Sequence, residues 1–184
     1  MAVARAGAGL MMRPITGDQD MPMPPPTADL VAPRNALAYL DVQSMALPYP
    51  LRALEAWDRL MAEPLPFMKA AFAVRDAISA RFGVKRIGGF SGTRKADPAQ
   101  GDMLDFFLIE RIAPDVLTLT VRDRHLDVMT CVTTGEQRLT ITSSVTTHNW
   151  FGKAYMVPVG IAHRAIVRAT FARLRSRLAV RAER

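Results

Sequence analysis

A single cysteine, Cys131, rules out an internal disulfide framework and cannot by itself supply a cysteine-based zinc site. The expected compartment is therefore a reducing one, the cytoplasm. Histidine is also scarce, with three in 184 residues, and none has the paired Cys/His spacing of a zinc finger. Aromatics make up 7% of the chain and do not interleave with basic runs, and no helix-turn-helix pattern appears. There is no Gly-x-Ser-x-Gly elbow to present a nucleophile. No apolar run approaches the roughly 20 residues needed to cross a bilayer. The opening MAVARAGAGLMMRP has too short an apolar stretch before Arg13 for a secretory signal.

What is present is enough for one buried core: 49% hydrophobic and 22% charged residues in a chain too short for two ordinary domains. The formal net charge is +7, and Arg164, Arg168, Arg173, Arg175, Arg177, Arg181 and Arg184 crowd the C-terminus. Clustered arginines bind phosphate by releasing counterions, so an anionic surface or a nucleic acid is one partner class they could serve. The plain alternative is the solvated outer face of a terminal helix. Without a recognition motif, nucleic-acid binding is not the expectation.

Residues 1–33 carry Met21-Pro-Met-Pro-Pro-Pro26 and Pro33 with no apolar period, and read as a poorly ordered leader. A single domain is expected over 34–184. Its first strand is AYLDVQSM, from Ala38 to Met45, closed by Pro48 and Pro50. Leu51, Leu54, Trp57 and Met61 make one apolar stripe on a helix from Leu51 to Ala62. A second helix is expected from Leu65 to Phe82, ended by Gly83. Gly88, Gly89 and Gly92 follow among basic residues, but a phosphate loop needs a helix after its glycines and no helix pattern follows. A surface connection is the better interpretation.

From Asp105 the period changes to two. Asp105–Arg111, Val116–Val121, His125–Thr133 and Gln137–His148 are separated by short turn segments, so consecutive hairpins and an antiparallel meander are expected. In the second strand Leu117, Leu119 and Val121 share one face and Thr118 and Thr120 the other, which predicts one buried and one wet side. A last helix is expected from Val157 to Arg181, with Pro158 in its first turn. His163 falls inside its apolar arc and should face the sheet.

This order of strand, two helices, antiparallel strands and a long final helix resembles the α+β helix-grip arrangement of START-like and polyketide-cyclase-like proteins. More closely, the chain is similar to the bacterial domain-of-unknown-function family numbered 2867. The residues that carry this likeness are Pro66-Phe67, Arg75-Asp76, Phe82-Gly83-Val84, His125-Leu126-Asp127, Thr146 to Trp150, Gly152, Tyr155 and His163. Val128-Met129 stand where that family commonly has Phe-Arg, and Ile161 where it commonly has Pro. The resemblance implies a curved antiparallel sheet packed on the C-terminal helix, often with an apolar cavity between them. It implies no reaction.

Candidate chemistry rests on few residues. His125 and Asp127 are two apart in a strand and leave the same face. They are either a surface pair or, in the other register, an acid/base pair looking towards His163. A two-histidine, one-carboxylate metal site from His125, Asp127 and His163 is chemically conceivable, but no metal or cofactor is expected. Cys131 is assigned to packing. Trp150, Phe151, Tyr155 and Met156 gather where the last strand meets the final helix, either to close the core or to line the mouth of a ligand pocket. The leading expectation is a protein that binds a small apolar or amphipathic ligand. The alternatives are a cyclase, isomerase or hydrolase using His125, Asp127 and His163, and anionic-surface binding through the C-terminal arginines.

Overall fold

The computed structural model describes residues 23–62 and 97–182. The helix expected from Leu65 to Phe82 and most of the glycine-bearing connection after it lie outside the described residues. Six strands form one curved, open antiparallel sheet in the order β1-β6-β5-β4-β3-β2. They are β1 (Tyr39–Ala46), β2 (Met103–Leu104), β3 (Phe107–Ala113), β4 (Val116–Arg122), β5 (Leu126–Gly135) and β6 (Arg138–Thr147). Two α-helices are described, α1 (Ala53–Met61) and α2 (Trp150–Ala182).

The meander runs as its alternation predicts, but the tightest turn lies one residue later than the composition suggests. Gly135 belongs to β5 and pairs with Arg138, so the two-residue turn is Glu136-Gln137. Both have positive φ, 50° and 54°, which matches the twist of a hairpin although neither residue is a glycine. Asp105, with φ 55°, serves the β2–β3 turn in the same way.

Helix α1 follows the two prolines at once. Its first N–H, from Ala53, bonds the carbonyl of Pro114 at 2.9 Å and fixes it to the β3–β4 turn. Ala53, Ala56, Trp57 and Leu60 bury one face, and the Trp57 ring meets Phe107 edge-on at 5.8 Å. Leu117, Leu119, Val132, Leu139 and Ile141 supply the sheet side of the same core, and Val167, Phe171, Leu174 and Leu178 seal it from α2. These four recur at helical spacing, so the C-terminal half of α2 is held by apolar burial, the non-directional driving force of folding.

The opposite sheet face is not wet, contrary to the alternation in β4. Thr118, Thr120, Cys131, Thr142 and Ser144 are all buried. Burial on this side is compatible with hydroxyls because many find partners. Ser44 bonds Thr140, Thr120 donates to Glu110, and Thr118 donates to Asp29. The chain before β1 crosses this face. The Asp29 N–H bonds the Cys131 sulfur at 3.4 Å, the Val31 N–H bonds Ser144 at 3.0 Å, and Arg111 pairs with Asp29 at 3.3 Å.

Helix α2 begins at Trp150, seven residues before the start expected from Pro158. Asn149 caps it, its Oδ1 accepting the Gly152 N–H at 3.0 Å. Pro158 therefore lies inside the helix. Its missing N–H removes the bond that the Ala154 carbonyl would otherwise accept from it, and both Ala154 and Pro158 are on the solvent side, where water can reach that carbonyl.

Candidate functional site

The N-terminal half of α2 lies on the sheet through two glycines. A Cβ at Gly152 would stand 2.3 Å from the His125 carbonyl oxygen, and one at Gly160 would stand 2.8 Å from the Tyr39 ring. Between and beyond these contact points lie two polar constellations.

The first surrounds His125. Asp123 Oδ1 accepts the N–H groups of His125 and Leu126 at 2.7 and 3.0 Å and so turns the chain into β5. Arg124 Nε donates to His125 Nε2 at 2.9 Å. A guanidinium can only donate, so Nε2 is the acceptor and the ring proton sits on Nδ1. Nδ1 then donates to Asn149 Oδ1 at 3.1 Å, while the Asn149 amide donates to the Arg124 carbonyl at 3.1 Å. Phe151 covers the imidazole at 4.8 Å between centroids and stacks on Tyr155. Both ring nitrogens are thus engaged, and the Nδ1 bond to Asn149 locks the entry of β5 to the start of α2.

The second surrounds His163, which faces the sheet as its helical angle requires. Its Nε2 is 3.3 Å from Ser143 Oγ on β6, and its Nδ1 is 3.9 Å from Asp41 Oδ2 on β1. Asp41 is buried and accepts from Arg164 Nε at 3.2 Å and from Gln43 at 2.7 Å. Arg164 also lies 5.3 Å over the Tyr39 ring, whose hydroxyl donates to the Gly160 carbonyl. One edge of the His163 ring reaches solvent, yet Nδ1 is sealed and has no hydrogen-bond partner. Burial lowers the imidazole pKa against the pull of the Asp41 charge, which favours the neutral ring. Burial, and next the Asp41 charge, push the Tyr39 phenol up to about 12.

Residues 34–170 match the profile of the family described as "Protein of unknown function (DUF2867)". The chain belongs to this family. No curated protein and no solved structure matches it. In this DUF2867 chain, His125 comes together with Asn149 and Gly152, which follow it at a distance in sequence. They form the joint between β5 and α2.

The DUF2867 fold separates the acid/base candidates. Asp127 pairs with His148 at 3.2 Å. By strand parity it shares the face of Cys131, whereas His163 meets Ser143 on the other face. His125 sits at Gly152 and His163 lies eleven residues further along α2, about 16 Å at 1.5 Å per residue. Among the described residues no three His, Cys, Asp or Glu side chains gather as metal ligands. Trp150 is 74% exposed and touches Phe151 edge-on, Phe151, Tyr155 and Met156 are half-buried, and Cys131 is buried with its thiol pKa raised by that burial. The sequence reasoning missed Asp41 and Ser143. Asp41 carried a signal, being the only charge in an otherwise apolar or neutral strand. Ser143 carried none, because it stands in a run of Thr and Ser.

Proposed function

We propose that the protein binds a small amphipathic molecule at the half-open flank of α2, with His163, Ser143 and Asp41 at its polar end. The observation that carries this is the sealed, unpartnered Nδ1 of His163 beside a buried carboxylate. Buried polar atoms are rarely left unsatisfied, so a sealed donor or acceptor such as this one calls for a partner. Tyr155 and Val159 lie half-buried on the adjoining flank and offer apolar contact to the rest of such a molecule. A curved sheet against a long terminal helix also resembles the helix-grip arrangement of START-like proteins, in which the ligand lies between the two. The test is titration with an anilinonaphthalene sulfonate probe. Saturable one-to-one binding, weakened by Ser143→Ala and by Tyr155→Ala in variants that stay folded, is the expected result. Binding unchanged in both refutes the site.

A second function class is favoured by one specific observation. Ser143, His163 and Asp41 stand in the order of nucleophile, base and orienting carboxylate, with looser spacing than a poised triad. The neutral His163 would take the Ser143 proton as the hydroxyl attacks an acyl carbon. A fluorophosphonate reagent then modifies Ser143 and fails to do so in His163→Gln. Absence of any adduct on the wild-type chain leaves binding alone.

A further inference from the structure

The outer face of α2 presents a second surface, independent of the His163 site. Trp150, Val157 and Ile161 are 74%, 68% and 70% exposed. Their spacings of seven and four residues bring them onto one side of the helix. Lys153 flanks this stripe, and Arg168 and Arg175 extend it towards the C-terminus, all exposed. Between residues 150 and 182 there is no Asp or Glu. Among the described residues no helix is long and apolar enough to cross a membrane.

We infer that this face docks on the surface of an anionic lipid bilayer. Trp150, Val157 and Ile161 enter the boundary between headgroups and acyl chains, and the arginines meet the lipid phosphates. An aromatic and two aliphatic side chains beside a wholly cationic run are the chemistry of an interfacial helix, which lies in the membrane plane without spanning it. The charge argues against the other occupants. A second copy would bring the same positive face against itself. A nucleic acid would satisfy the arginines while leaving the apolar stripe against phosphate and water.

The experiment uses the full chain with vesicles of phosphatidylcholine alone and of phosphatidylcholine with phosphatidylglycerol. It is read by co-sedimentation and tryptophan emission. Trp57 is buried in the core, so a blue shift on mixing reports Trp150, and Trp57 emission verifies folding of the variants. Partition into the anionic vesicles with a blue shift is expected, together with loss as salt rises. Trp150→Ala with Ile161→Glu should lower that partition about tenfold or more. Arg168→Gln and Arg175→Gln should each lower it roughly fivefold. No partition into anionic vesicles, or equal partition into phosphatidylcholine alone, overturns the inference. Partition insensitive to Trp150→Ala with Ile161→Glu, with duplex DNA bound as well, makes the arginines a general polyanion surface and also overturns it. So does a concentration-dependent dimer abolished by Ile161→Glu.

Discussion

Replacing Gly152 with alanine sets two principles against each other. In a free helix, alanine is favoured over glycine by about 1 kcal/mol. In this fold the added Cβ would stand 2.3 Å from the backbone oxygen of His125. That oxygen cannot swing away like a side chain, because it accepts the His148 N–H at 2.8 Å and borders the turn pinned by Asp123. A carbon–oxygen contact settles near 3.3 Å or beyond, so α2 must withdraw by about 1 Å. Withdrawal stretches the Asn149 cap on Gly152 and the His125–Asn149 bond together. Overpacking costs about 1–3 kcal/mol and loss of a cap about 1 kcal/mol. After the gain in helix propensity, a net destabilisation of about 1–3 kcal/mol remains. For a chain of this size that lowers Tm by about 3–9 °C. Urea denaturation followed by Trp57 emission measures it directly. A Gly152→Ala variant as stable as the wild type or more so would show that α2 does not rest on the His125 carbonyl, and the joint described above would be wrong.

Other perturbations have equally definite signs. Glu136→Asn with Gln137→Gly should raise stability by about 1 kcal/mol, since both positions have positive φ, and a thermal melt checks it. Because burial holds the folded pKa of His163 below its ordinary 6.5, the unfolded chain takes the proton first, so stability should fall as pH drops below that value. His163→Gln should flatten this part of the profile in denaturation series at about pH 5 and about pH 8. Cys131 should resist an aromatic disulfide reagent in the native state, and Asp29→Ala should speed its labelling by removing a partner of Thr118 and Arg111 on that sheet face.

The meander and both described helices were legible because each is written in a period: two in Val116–Val121, three and four in Leu51–Met61 and Val167–Leu178. The burial of Thr118 and Thr120 was not. Alternation tells which residues share a face, but it does not tell whether another stretch of chain crosses that face, as Asp29 and Val31 do. The start of α2 was misread because Pro158 is a strong local signal. The capping Asn149 and the solvent-facing position of Ala154 override it, and only the second depends on the folded surroundings. At the candidate site, the phase of α2 aimed His163 correctly at the sheet. Its partners could not be read, since Asp41 is brought to it by a pairing of β1 with β6 across most of the chain.

That pairing also dictates an order of events. Ser44 and Thr140, bonded neighbours in the sheet, lie 96 residues apart, whereas β3 to β6 are joined by tight turns. Hairpins close in microseconds, but contacts that span long loops come late because their closure entropy is offset only once much of the structure exists. Among the described strands β1 is the first to be synthesised and its partner β6 the last. Until β6 emerges, Leu40 and Val42 would stand on an unpaired strand, and a carboxylate such as Asp41 between them is the kind of charge that discourages pairing with other nascent chains.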